Sequence, residues 1–259
     1  MSHIHIPDGV LPLWLVVAGW LVCLGLLALA LRRLSEPAHR RLPLVGVMAA
    51  LMVVVMTIEI APLAYHINLS VLAGIVLGPA LGLLTAFIVN LLLAFLGHGG
   101  ITVVGLNTLV MATEMVAGYL LFRGLGRLPL LRPRPGLTAG ITTVLALMLG
   151  TLAMIGVVAL ANIEPGWQAP HAAALEPETL QWRNPFGEGI LTWEVFPARE
   201  EERPHLELGT FARLVFILGS IGWLLEGVIT ALVVRYLSRV RPDLLDAGRL
   251  ARPAALQRE

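Results

Sequence analysis

The sequence opens Met1-Ser2-His3-Ile4-His5-Ile6-Pro7-Asp8-Gly9, which puts two of its seven histidines within five residues of the amino terminus. Imidazole is the commonest transition-metal ligand. An amine, deprotonated backbone amides and an imidazole together make a planar nitrogen set, a geometry that suits Ni(II) and Cu(II). Two variants are open. With Met1 retained, His3 stands third, and the amine, two amides and the imidazole supply four nitrogens. With Met1 removed, as the small Ser2 allows, His3 stands second, and the three-nitrogen set needs a donor from elsewhere. The plainer alternative is a solvated terminus with incidental histidines.

His66, in Tyr65-His66-Ile67-Asn68, lies between two apolar runs and is a candidate for that further donor. The alternative is an interfacial histidine bonded to a helix end. His98, in the glycine-rich Gly97-His98-Gly99-Gly100, is a secondary candidate. His39 sits beside arginines and reads as solvated, and no spacing singles out His171 or His205. Glu59, Glu114 and Glu226 interrupt apolar runs, with Asn90 and Asn107 as polar company, and Glu59, Asn68 and Asn107 join His98 as secondary candidates. Ionisable groups inside a membrane are costly and functional by default. The alternative for these glutamates is hydrogen-bonded glue between helices. None of them pairs with a histidine in an HExxH spacing, so an intramembrane zinc protease is not supported. The lone Cys23 excludes a disulfide framework and a cysteine-based zinc site.

Composition sets the surroundings of these residues. The 259-residue chain is 57% hydrophobic and 14% charged, with a mean hydropathy of +0.83. Soluble domains run about 45–50% apolar and about 25% charged. The excess excludes a soluble enzyme, a disordered chain and a coiled coil, and points to lipid as solvent. An all-α, multi-pass protein of the plasma (inner) membrane is expected. Seven helical segments are expected at about Val10–Leu31, Leu42–Ile60, Leu69–Leu77, Pro79–Leu96, Val103–Phe122, Leu137–Ala161 and Gly209–Leu237. Gly78-Pro79 splits what is otherwise one overlong apolar run, because proline cannot extend a helix and restricts the residue before it.

Charge gives an orientation. The linkers holding Arg32, Arg33, Arg40 and Arg41, then Arg123, Arg127, Arg132 and Arg134, and the tail from Arg235 are basic. Residues 162–208 carry nine glutamates against Arg183, Arg199 and Arg203. By the positive-inside rule the N-terminus lies outside and the C-terminus inside. The first nine residues form no basic signal region, so they are expected to stay on the protein and face outward. The expected organisation is one membrane domain, 1–238, with an outer loop at 162–208 and a cytoplasmic tail at 239–259. Gly74, Gly78 and Gly82 form overlapping GxxxG spacings, and Gly46 with Ala50 a similar small-xxx-small pair. Such faces let membrane helices approach closely, more often for internal packing than for docking a partner subunit.

All 18 basic residues are arginine. Without lysine there is neither a P-loop lysine for phosphate nor a Schiff base, so any ATP hydrolysis belongs to another subunit. Nothing in the basic tail suggests nucleic acid.

Several motifs together resemble one family. His5-Ile6-Pro7-Asp8-Gly9 near the N-terminus is one. His66 followed by Gly74-Ile75-Val76-Leu77-Gly78-Pro79 is another. Gly99-Gly100-Ile101-Thr102-Val103-Val104-Gly105-Leu106-Asn107 is a third. Glu226-Gly227-Val228-Ile229-Thr230 and Arg241-Pro242-Asp243-Leu244-Leu245 complete the series. In this order they resemble the CbiM/NikM family, the metal-capture (S) subunits of energy-coupling factor transporters for cobalt and nickel. The likeness covers most of the chain outside roughly 125–208. It implies Co²⁺ or Ni²⁺ as transported substrate, held near the outer surface by the N-terminal amine, the backbone amide and imidazole of a second-residue histidine, and a loop histidine.

The loop histidine carries over onto His66. The family begins Met-His-Ile-Pro-Asp-Gly, whereas Met1-Ser2-His3-Ile4 precedes His5 here. The resulting ligand set is the Ser2 amine, His3 and His66, with His5 as a fourth or alternative ligand or as a supporting group. The implied partners are a transmembrane T subunit, cytoplasmic ATPase subunits and, as a further member, a small accessory membrane subunit. Cobalamin biosynthesis is the implied setting for cobalt. Two rival readings are an S subunit of like architecture for an organic vitamin, and an intramembrane protease using Ser220. The N-terminal histidines disfavour the first, and the lack of a histidine base within a helix core disfavours the second.

Overall fold

The computed structural model of the protein describes residues 11–32, 34, 39–58, 66–97, 99–162 and 208–245. Among them are seven α-helices and no strand. They are α1 (Leu13–Arg32), α2 (Leu42–Thr57), α3 (Ser70–Leu77), α4 (Pro79–Phe95), α5 (Val104–Leu125), α6 (Pro135–Asn162) and α7 (Leu208–Val240), with a 3-10 turn at Pro242–Leu244. The expected all-α class and its seven segments hold, with shifts of a few residues at the ends. The acidic segment from 163 to 207 and the tail beyond 245 lie outside the described residues.

Four stretches are long and apolar enough to cross a membrane: Leu13–Arg32, Val104–Leu125, Pro135–Ala161 and Val215–Val240. α2 and α4 have 16 and 17 residues. At about 1.5 Å per residue they measure roughly 24–26 Å, somewhat less than the ~30 Å hydrocarbon core. Local chemistry sets these ends. α2 carries Pro43 in its first turn, where a missing N–H goes unnoticed. It stops at Thr57 rather than at the expected Ile60. Ile58 is already extended, and the Thr57 hydroxyl donates back to the Val54 carbonyl at 2.9 Å. Gly78 takes φ +80° between α3 and α4, a conformation glycine adopts without a Cβ clash. Pro79 then begins α4.

The eight-residue α3 is the centre of the molecule. All of its residues are buried, and it lies against α2, α4, α5, α6 and α7. A helix apolar on every face belongs inside a bundle. Small residues bring it close to α5. A Cβ added at Gly74 would lie 2.7 Å from the Met115 Cα, and one at Gly82 3.4 Å from the Met115 sulfur. One at Gly78 would meet the Tyr119 ring at 3.7 Å. Gly118 of α5 answers from the other side, where a Cβ would meet Val71 Cγ1 at 2.8 Å. The Gly74, Gly78 and Gly82 spacing is therefore an internal packing face. Gly46 and Ala50 differ, since both are exposed on α2 and a Cβ at Gly46 would meet nothing within 4 Å.

α1 closes against α5 through a similar approach. A Cβ at Gly105 would lie 2.8 Å from the Trp20 backbone nitrogen, and the Trp20 indole donates to the Thr102 carbonyl at 2.6 Å. At the start of α2, Arg41 donates to the Val76 carbonyl at 3.2 Å and to the Asp243 carbonyl at 3.1 Å. One guanidinium thus joins the start of α2, the end of α3 and the chain just after α7.

Candidate metal-binding site and its support

Of the expected ligands, Ser2, His3 and His5 lie outside the described residues, as do Glu59 and His98. His66 is described. It begins an irregular segment, His66–Leu69, that leads into α3, and it is half-buried. Among the described residues, no group of three or more His, Cys, Asp or Glu side chains is clustered so as to hold a metal ion. The described residues alone thus bring no three such side chains together at His66.

What the structure does show is how the His66 segment is fixed. Its next polar neighbours, Asn68 and Ser70, are buried against two glutamates from distant helices. The Asn68 side-chain amide donates to Glu114 Oε2 at 2.8 Å. The Ser70 hydroxyl donates to the same oxygen at 2.6 Å. The Asn68 backbone N–H donates to Glu226 Oε1 at 2.9 Å. Glu114 comes from α5 and Glu226 from α7, and each is only 1% exposed. In a low-dielectric interior a carboxyl needs such donors, because leaving a buried polar group unsatisfied costs about 1–3 kcal/mol or more. Among the donors to the two carboxyls are an amide, a hydroxyl and a main-chain N–H.

Between the two anchored residues, Leu69 takes φ 56° and ψ 13°. A side chain in this left-handed region costs roughly 1–2 kcal/mol. Such a conformation persists where the surroundings over-determine it, and here both flanking residues are pinned by carboxyls. Glu114 itself is walled in by α6, because a Cβ at Gly150 would lie 2.6 Å from Glu114 Oε1. Glycine at position 150 is what leaves room for this carboxyl.

Two of the secondary candidates, Asn68 and Asn107, are among the described residues. Asn68 is a structural hub beside His66. Asn107 is buried near the start of α5. It precedes Glu114 by seven residues, so it lies on the same helix face about 10 Å away along the axis. The hydrogen bonds of Glu114 and Glu226 to Asn68 and Ser70 tie α5 and α7 to the turn into α3 and its first residue. Sequence reasoning singled out both glutamates but neither Ser70 nor the pairing. The available signal was the run Asn68-Leu69-Ser70 ahead of an apolar helix, where buried polar groups must find partners. Ser220 spends its hydroxyl on the Ile217 carbonyl of its own helix, at 2.8 Å.

Comparison with known proteins places this architecture. The family model CbiM, described as "Cobalt uptake substrate-specific transmembrane region", matches residues 5–244. The cobalt transport protein CbiM of Geobacter sulfurreducens is 30% identical over 259 residues, an alignment covering 94% of this chain and 64% of that protein. The chain thus spans a little under two thirds of that relative's length. The crystal structure of a truncated transition metal transporter superposes with a TM-score of 0.63 at 19% identity, covering 92% of this chain and 99% of the other. At that identity the likeness is one of fold. The chain belongs to the CbiM family, a family of transport components, and is a multi-pass membrane protein built around a short buried helix.

Proposed function

We propose that this chain captures Co²⁺ or Ni²⁺ at the outer membrane face and passes it to an ATP-driven uptake complex. The ligands in this reading are the Ser2 amine, His3 and His66, with His5 as a fourth or alternative donor. The observation that carries it is the setting of His66. The histidine leads a segment anchored to two buried carboxyls, two residues from a buried acceptor, Asn68 Oδ1, that no donor among the described residues reaches. A buried acceptor left open in this way suits an N–H from an incoming chain segment, such as the N-terminus that carries the other ligands.

The N-terminus faces outward and the C-terminus inward in this reading. The joining of Arg41, Val76 and Asp243 supports a common side for the start of α2, the end of α3 and the tail. A transmembrane T subunit and cytoplasmic ATPase subunits supply coupling and ATP hydrolysis, in keeping with a chain that has no lysine of its own. Because amide and imidazole donors must shed protons, capture weakens as pH falls. Planar nitrogen geometry, rather than raw affinity, sets the choice of cation, since affinity alone would favour copper.

The test is an equilibrium titration of the purified chain with Ni²⁺ and with Co²⁺ near neutral pH. One equivalent of saturable binding, lost in His66→Ala, is expected. Absence of saturable binding of either ion contradicts the reading.

A further inference from the structure

We propose that Glu114 and Glu226 are positioning residues for His66, holding the imidazole in place for metal through Asn68, Leu69 and Ser70. This rests on the capture role given to His66 above. Three hydrogen bonds from two helices converge on two residues within four positions of His66. Carboxyls serving only to join helices have no need to meet on one turn. Here they bracket Leu69, the one non-glycine residue with positive φ among those described. A turn that its own conformational preference opposes returns to ordinary backbone angles once its anchors are removed. His66, three residues upstream, then loses its fixed direction of approach. Glu114 is itself confined by α6 at Gly150, so its carboxyl is a rigid post. The outer partners of metal-binding histidines influence affinity by orienting the ligand, without touching the metal.

The full-length chain in detergent is titrated with Ni²⁺ and followed by its absorption spectrum. Glu114→Ala and Glu226→Ala each weaken binding about tenfold or more. The spectrum at saturation stays that of the parent, because the ligands are unchanged. Glu114→Gln and Glu226→Gln keep a carbonyl acceptor for the same donors and bind close to the parent. Asn68→Ala combined with Glu114→Ala costs less than the sum of the two, since Glu114 acts partly through Asn68. Folded alanine variants with parent affinity overturn the proposal, as does an altered spectrum at saturation. Should the alanine variants fail to fold, Ser70→Ala carries the test, with several-fold weaker binding expected and parent affinity overturning it. Parent binding that is lost in His66→Ala but untouched in the glutamate variants sinks the positioning role alone. Absent parent binding, or binding that survives His66→Ala, sinks the capture reading and the positioning role with it.

Discussion

The backbone N–H of Asn68 donates to Glu226 Oε1 across 2.9 Å and 158 positions of sequence. α7 thereby reaches the turn that leads into the short, buried α3. Together with Glu114 it turns an irregular segment into a fixed mount for His66. Two carboxyls that would be liabilities in a membrane interior become the anchors of the segment that His66 begins.

Packing makes a paired prediction. Gly74→Ala drives a methyl group to 2.7 Å from the Met115 Cα, a backbone that cannot step aside as a side-chain tip can. Overpacking of this kind costs about 1–3 kcal/mol or more, so the variant melts well below the parent in the same detergent. Gly46→Ala meets nothing within 4 Å. Replacing a mid-helix glycine there is neutral or gains roughly 0.5–1 kcal/mol. Equal melting temperatures for the two variants would contradict the assignment of their faces.

Gly150→Ala places its Cβ 2.6 Å from Glu114 Oε1. The carboxyl must turn away from Asn68 and Ser70. Weakened Ni²⁺ binding is expected in isothermal titration, with a loss similar to that of Glu114→Ala. Unchanged affinity in a folded Gly150→Ala protein would mean that the carboxyl's place does not matter.

The helices were legible because apolar runs end at chemistry that a sequence displays. Gly78-Pro79 marked the break between α3 and α4, and the arginine linkers marked the ends of α1 and α5. The Gly74, Gly78 and Gly82 spacing announced close packing. It did not say against which helix, and Gly46 with Ala50 shows the same spacing facing outward. Glu114 and Glu226 were visible as expensive residues, yet their partners lie 44 to 158 positions away. Such pairings depend on how the helices assemble, a property of the bundle that no local pattern records. The left-handed turn at Leu69 was hidden for a related reason: leucine has no preference for it, and only the anchors on either side impose it.

Arg41 joins three chain ends with one planar fork. Its bond to Val76 is half-buried and its bond to Asp243 exposed, so solvent screening leaves a contribution of about 1–2 kcal/mol. Arg41→Ala lowers the melting temperature accordingly and speeds amide exchange near the α3–α4 junction. Arg41→Lys does not restore it fully, because a single ammonium lacks the guanidinium's spread of donors. Parent-like exchange in Arg41→Ala would remove the clamp from the account.

Beyond α7, the Arg241 guanidinium donates to the Asp243 carboxylate at 2.9 Å. That hydrogen bond holds the Asp243 carboxyl below its ordinary range, with the charges of Arg241 and Arg41 adding to it. Since the folded-state pKa is the depressed one, the contact is fully present above the ordinary aspartate value of roughly 3.9 and fades as pH falls through the lowered value. A carboxyl-detected titration should place the Asp243 midpoint below that of a free aspartate. Arg241→Gln should return it towards the ordinary value, and added salt should narrow the gap. A midpoint indifferent to Arg241 would contradict this.

In the proposed site, His66 and the N-terminal nitrogens together hold the metal. X-ray absorption of the nickel-loaded full-length chain, beside the same measurement on His66→Ala, tests it most directly. A planar nitrogen environment with imidazole scattering is expected in the parent, and loss of one imidazole or of the metal itself in the variant. A six-coordinate, oxygen-rich nickel, or a spectrum identical in parent and variant, would contradict it.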